Sequence, residues 1–274
     1  MNLFSSLKMF RAIAAEDKAL AGLGVPRGRL LAMHYRGRWE QRRGLTPRLW
    51  KVSLRHFDRP VELSLSAPYA GAFKGVFLDE EYRCSSLLPV APLRILDLGA
   101  NIGMGTISFA CQFPAARMVC VEPDPRNLSL LQQNLQANSV QALVVAAAVG
   151  AAPGHLNLRF GADPTCSALE SSPMHQLQGT TSVDVTTIPA LLLKAGWDSV
   201  DLLKVDIEGS EDELLSQNNG WLSQVGAVIL EIHPSTTPEK IAGYLAPFGF
   251  CLRRVGHGRE PVYFASRNGG MSPA

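Results

Sequence analysis

From Leu93 onward, short apolar runs alternate with longer stretches of helical periodicity. That rhythm predicts strands and helices in turn, and hence a parallel α/β sheet. Residues 94–98 read as a buried strand ending in a glycine turn, 118–122 as a second strand and 142–149 as a third, with two more at 200–207 and 225–233. Helices are predicted over 102–113, where Pro114 stops the periodicity, and over 125–138, with Pro125 at the start and Leu128, Leu131 and Leu135 along one face. Further helices are predicted at 188–195, 210–217 and 238–246. Glu211, Asp212 and Glu213 fall in the first turn of the 210–217 helix, where the helix dipole favours acids. Residues 155–160 and 182–186 read as extra strands around a polar loop at 161–179, and 250–255 with 262–266 as a closing hairpin.

The first ninety residues or so follow other patterns. Leu3, Leu7, Phe10 and Ala14 recur at helical spacing, residues 22–28 form a break, and 52–65 alternate as strands do. The predicted organisation is a basic N-terminal extension at 1–60, helical then β, a lead-in segment at 61–92, a Rossmann-like domain at 93–267 and a tail at 268–274.

Composition narrows the class. With 46% hydrophobic and 18% charged residues, 274 residues can bury a sizeable core, which excludes wholesale disorder. The net charge of +2 conceals an asymmetry, because residues 1–59 carry thirteen Lys/Arg against four Asp/Glu and the remainder carries thirteen against twenty. Arg36, Arg38, Arg42, Arg43 and Arg48 surround Trp39 and Trp50. Such a stretch suits an anionic substrate, a membrane surface or nucleic acid, or forms a solvated helical face that binds nothing. No recognisable nucleic-acid module accompanies it. The five cysteines, Cys84, Cys111, Cys120, Cys166 and Cys251, lack metal-ligand spacing, which is expected of a reduced, cytoplasmic protein without structural zinc. The longest apolar run, 142–152, is too short to span a bilayer, and Lys8 and Arg11 interrupt the apolar N-terminus in a way a signal peptide would not.

Two segments carry candidate chemistry. Asp97-Leu98-Gly99-Ala100-Asn101-Ile102-Gly103 lies at a strand-to-helix turn, the place where parallel sheets bind nucleoside cofactors. Glycines there let the backbone approach a ligand, and Asn101 tolerates left-handed angles better than most residues. Glu122, followed by Pro123, ends the next strand nineteen residues after Gly103, near the spacing at which a carboxylate grips ribose hydroxyls. Asp97 would fix the turn or reach a ligand amino group through water. A nicotinamide site needs G-x-G-x-x-G, but Ser108 replaces the third glycine in the nearest register. S-adenosylmethionine has no pyrophosphate, so the departure costs a methyl-donor site nothing.

The second segment is Lys204-Val205-Asp206-Ile207-Glu208-Gly209, echoed by Glu231-Ile232-His233-Pro234. Strand alternation would put Lys204, Asp206 and Glu208 on one side, and Glu231 and His233 likewise. A Lys204–Asp206 or Lys204–Glu231 ion pair accounts for any one of these residues. Five together on the cofactor edge point to a functional site. His233 is the first candidate for general base, with Asp206 as the alternative, and Lys204 positions its neighbour. Asp206 and Glu208 orient an acceptor or hold a cation; no metal is assigned, since nothing fixes its geometry.

In this order and spacing, LDLGANIGMGTI, VEPDPRNLSLLQQNL, LLKVDIEGSE and ILEIHP, with GVFLDEEYRC upstream, resemble the FkbM family of methyltransferases over residues 70–266. The resemblance implies a seven-stranded Rossmann-like sheet with its last strand antiparallel, S-adenosylmethionine as donor, and O-methylation of a hydroxyl on a sugar, glycolipid or natural product. Asp97, Gly99, Asn101 and Gly103 match the donor loop and Glu122 the ribose carboxylate, while Asp206, Glu208 and Glu231 match later acidic positions. Thr187-Ile188-Pro189-Ala190-Leu191 departs from the family, which has a Leu-Asp pair before that helix, and Cys166-Ser167-Ala168-Leu169 stands where the family has a Ser-rich segment. The partner implied is a small-molecule or saccharide acceptor, with no nucleic acid, and a homodimer is compatible with the sequence. The rival readings are an RNA methyltransferase using the basic arm and a non-catalytic S-adenosylmethionine-binding protein.

Overall fold

Proline and glycine punctuation divides the chain into elements much as the pattern predicts. The computed structural model describes residues 3–161, 167–169, 177–255 and 261–267. Helices α1 (Leu3–Gly22) and α2 (Arg29–Arg42) precede a hairpin of β1 (Trp50–His56) and β2 (Arg59–Leu65), followed by α3 (Ala70–Phe77). The main domain then runs β3 (Arg94–Leu98), α4 (Met104–Gln112), β4 (Arg117–Val121), α5 (Pro125–Ala137), β5 (Ala142–Val145), β6 (Ala148–Val149), β7 (Gly154–Gly161), β8 (Ser167–Leu169) and β9 (Leu177–Thr186). It continues through α6 (Ile188–Ala195), β10 (Val200–Val205), α7 (Glu211–Ser216), β11 (Val225–Glu231), α8 (Pro238–Leu245), β12 (Phe250–Arg254) and β13 (Val262–Arg267).

Seven strands form the central sheet in the order β12-β13-β11-β10-β3-β4-β5. Only β13 among them runs antiparallel to its neighbours, so the last strand of the chain is the reversed one, as expected. A second sheet has the order β6-β9-β7-β8. Residues 142–149, expected to form a single strand, are divided between the two sheets. The apolar run 142–149 is two strands, because after Val145 the chain leaves the central sheet and Ala148–Val149 pairs with Val185 and Thr186 of β9. A uniformly apolar run carries no mark of such a switch. The predicted tail and Cys166 lie outside the described residues.

The pleat assigns each strand residue to a face. Leu96, Leu98, Leu203, Val205, Val228 and Leu230 point toward α6, α7 and α8. Ile95, Cys120, Leu202, Ala227 and Ile229 point the other way, into a core shared with α4, α5 and the first ninety residues, including Leu20, Met33, Val52, Leu65 and Phe77. Asp97, Lys204 and Glu231 alternate onto this second face.

Polar seams hold the N-terminal layer to the sheet. Asn134 on α5 accepts from Ser64 N at 2.7 Å and donates to Ser64 O at 3.2 Å and to Ile102 O at 2.9 Å. One turn on, Asn138 accepts from Glu62 N at 2.9 Å and donates to Glu62 O at 2.7 Å. Two side-chain amides four apart on a helix thus act as a surrogate strand for residues two apart on β2. Ser108, where a dinucleotide fingerprint would have glycine, places its hydroxyl 2.9 Å from the buried His56 Nε2 of β1. Burial of His56 lowers its pKa, so the ring is neutral at pH 7. Thr187 accepts from Ala190 N at 3.4 Å and caps α6, the work an Asp at this helix start would otherwise do.

Asn134→Ala would leave the buried Ser64 N–H and two carbonyls without their side-chain partner, a cost of roughly 3 kcal/mol. At about 2–4 °C per kcal/mol for a chain of this size, thermal melts should show Tm falling by roughly 6–12 °C. A change within about 2 °C would show that the seam does not hold the layer.

Candidate active site

The site begins with two cross-strand neighbours. Register pairs Asp97 on β3 with Lys204 on β10, on the same face of the sheet. Lys204 is 2% exposed, and its Nζ lies 3.1 Å from Asp97 Oδ1, 3.4 Å from Asp206 Oδ2, 2.7 Å from Gly99 O and 3.3 Å from Leu98 O. Burial alone would lower the ammonium pKa, but the charges of Asp97 and Asp206 outweigh it and raise it, so Lys204 stays protonated. Asp97 Oδ2 also accepts from Thr106 Oγ1 at 2.6 Å. Asp97 is therefore sealed beneath the loop, between Lys204 and α4, and does not line either cleft described below.

The glycine loop is set by steric necessity. Gly99 has φ 73°, and a Cβ there would lie 1.7 Å from Asp206 O, so no other residue fits. Asn101 takes φ 51°, the left-handed conformation expected of it. Its backbone N–H donates to Glu122 Oε2 at 2.8 Å, while Asp124 N and Asn127 Nδ2 donate to Glu122 Oε1 at 2.9 Å and 3.1 Å. Burial dominates over these bonds and pushes the Glu122 carboxyl up to about 7. Gly103 caps the start of α4 with φ 89° and stands behind the loop.

Beyond Val205 the strand geometry ends, which corrects the alternation argument for Glu208. Glu208 sits in a turn with φ 53°, followed by Gly209 at φ 101°. That turn, rather than the pleat, directs it to His233, whose Nε2 lies 3.6 Å from Glu208 Oε2, 3.5 Å from Glu231 Oε1 and 3.9 Å from Asp206 Oδ1. His233 Nδ1 lies 2.9 Å from Glu211 Oε1. Glu211 is fully buried and also accepts from Ile207 N at 3.3 Å and Gly209 N at 3.1 Å. Its place in a first helical turn suggested only a dipole role, yet it organises the whole turn.

Burial would lower the His233 pKa, but the Glu211 hydrogen bond and the charges of Glu211, Asp206 and Glu231 outweigh it and hold it at about 10. The ring is an imidazolium at neutral pH. Burial and the neighbouring Asp206 push Glu208 up to about 8. One ligand atom each from Asp206, Glu208 and His233 lie within 4.8 Å of one another, close enough to share a divalent cation, and the imidazolium offers the same carboxylates a positive charge.

Tyr82, which the sequence pattern did not single out, completes the cluster from the lead-in. Its hydroxyl donates to Asp206 Oδ2 at 2.9 Å, and its ring centroid lies 5.2 Å from Lys204 Nζ. Burial and surrounding acids raise its pKa, so the phenol remains a donor. Gln112 on α4 fixes this segment, donating to Tyr82 O at 3.1 Å and accepting from Cys84 N at 3.0 Å.

Two clefts meet at this cluster. One is lined by Glu122, Pro123 and Asn127 and walled by Val121, Ala147, Val149 and Leu158. A carboxylate at the end of an apolar slot is the donor set a nucleoside asks for. The other lies between the cluster and the N-terminal layer, with Glu16, Lys74, Tyr82, Lys204, Glu231 and His233 in its wall. Gly99, Asn101, Asp206 and Glu208 line both.

Residues 97–252 match the Methyltransferase FkbM domain. Methyltransferase sdnD of Sordaria araneosa is 28% identical over 214 residues, covering 66% of this chain and 82% of its own length. Hexuronic acid methyltransferase AglP of Haloferax volcanii is 26% identical over 152 residues, covering 55% of this chain and 60% of its own length. Among solved structures, the precorrin-6y C5,15-methyltransferase of Geobacter metallireducens aligns over 69% of this chain and 87% of its own, with 15% identity and a TM-score of 0.44. The matched domain spans more than half of the chain, which belongs to the FkbM family of S-adenosylmethionine-dependent methyltransferases.

Proposed function

We propose that this enzyme O-methylates a hydroxyl on a sugar, glycolipid or natural-product metabolite, with donor and acceptor meeting where the two clefts join at Asp206 and Glu208. That junction is the observation that carries the reading. The name of AglP, a hexuronic acid methyltransferase, supports a saccharide acceptor. In this reading Glu122 receives the ribose hydroxyls of the donor, Gly99 and Asn101 cradle its backbone-facing side, and Pro123 closes the slot.

When bound, S-adenosylmethionine supplies an activated methyl group on a sulfonium. The protein's tasks are alignment and removal of the acceptor's proton. The sequence reading gave His233 the base role. As an imidazolium it holds no free lone pair, so the proton passes instead to a carboxylate, Glu208, whose raised pKa suits proton abstraction near neutral pH. His233 then holds Glu208, Glu231 and Asp206 in place by charge. Lys204 and Tyr82 fix Asp206 from the other side.

A labelled-donor screen against sugars, glycolipids and hydroxylated metabolites tests the activity; methyl transfer only to nitrogen or carbon acceptors would overturn O-methylation. With the acceptor in hand, kcat/KM should rise with pH through about 8 as Glu208 loses its proton, then fall near 10 as His233 loses its own. Glu208→Gln should remove the rising limb and lower kcat by about 10²–10³. Wild-type turnover by Glu208→Gln, or by both His233→Ala and Asp206→Asn, would end this assignment.

Donor binding gives a separate reading. Ribose hydroxyls donate to an ionised carboxylate, so affinity should tighten as pH rises through about 7 and Glu122 deprotonates. Glu122→Gln should weaken S-adenosylmethionine binding by about 10-fold or more and flatten that pH dependence in calorimetry. An unchanged affinity would place the ribose elsewhere.

A further inference from the structure

The basic, aromatic stretch from α2 to Trp50 takes no part in the chemistry above, and its construction points to a partner. Between Asp17 and Asp58 the chain carries ten Lys/Arg and one acid, Glu40. Glu40 is 3% exposed and is consumed internally, accepting from Arg36 Nε at 2.7 Å and Arg48 N at 3.1 Å. The charge on the outer surface of this stretch is therefore all of one sign, positive. The same bonds fold the loop after α2 back onto the helix, with Leu45 N donating to Glu40 O at 3.0 Å. Among its arginines the pinned loop exposes two leucines, Leu45 at 46% and Leu49 at 52%, and Trp39 on α2 is 40% exposed. Of nine large hydrophobic side chains exposed among the described residues, five lie in the N-terminal layer, the others being Phe10 and Tyr35, whose rings are 6.5 Å apart.

We propose that this face docks on an anionic lipid bilayer, with Leu45, Leu49 and Trp39 entering the headgroup boundary and the arginines holding lipid phosphates. Charge complementarity with apolar insertion is the pattern of peripheral membrane proteins. Single-stranded RNA fits less well. Bases need bare aromatic faces, and Trp39 already carries Arg36 and Arg43 at 4.6 and 4.7 Å, as Trp50 carries Arg29 and Arg48 at 5.5 and 4.9 Å. Exposed leucines add nothing to base stacking. No helix among the described residues is long and apolar enough to cross a membrane, so contact would be with the surface.

The test is co-sedimentation of the full chain with phosphatidylcholine vesicles, with and without about a third phosphatidylserine. Binding should be at least about 10-fold stronger to the anionic vesicles, fall steeply with added salt, and shift Trp39 fluorescence to the blue, a shift absent from Trp39→Phe. The double variant L45D/L49D should lose about 10-fold in vesicle affinity while keeping its Tm and its affinity for S-adenosylmethionine. Absence of binding to anionic vesicles would overturn the proposal. So would full binding by the double variant, which would leave charge alone, or tighter binding to poly-uridine RNA than to vesicles.

Discussion

An ammonium group with almost no access to water holds the floor of the site together. Lys204 joins two strands through Asp97, the glycine loop through the carbonyls of Leu98 and Gly99, and the next turn through Asp206. Charges buried this deeply are tolerated only when paired, and removing one partner of such a set typically costs about 3–5 kcal/mol. The arrangement is therefore all or nothing: the loop, the strand end and the turn take up their geometry jointly. Gly99 adds a steric condition, because the turn can approach the loop only where there is no side chain.

Charge then organises the space above that floor. Glu208, Asp206 and Glu231 would repel one another without a cation among them, and His233 supplies it, steered by Glu211 behind the ring. The N-terminal layer supplies the opposite wall. Tyr82 reaches across from the lead-in to Asp206, and Gln112 locks that lead-in to α4. Residues before the matched domain thus help shape its chemistry.

Much of this was legible in the sequence, and the gaps have physical reasons. The order of strands and helices was readable because apolar runs and glycine turns report backbone periodicity directly. The loop at Gly99 and the acid at Glu122 were readable because their spacing follows from strand and helix lengths. Lys204, Asp206 and Glu208 were found by an alternation that holds only to Val205; Glu208 arrives by a left-handed turn instead. Glu211 was hidden because an acid in a first helical turn is ordinary. Tyr82 lies in an irregular segment with no period to mark it. Asn134 and Asn138 occupy the polar side of an amphipathic pattern, where they look like solvated residues and not the ligands of a strand.

Those asparagines bear on how the protein behaves in a crowd. A two-stranded ribbon exposes backbone donors and acceptors along its flanks, and such edges invite strands from other chains. On β2 that flank is already occupied at Glu62 and Ser64 by amides from α5, and on β1 Arg55 N is taken by Leu23 O at 2.7 Å. The hairpin is thereby closed to strand exchange at those positions, and a layer rich in exposed aromatics and leucines can remain at the surface without offering neighbouring copies a template for β-aggregation.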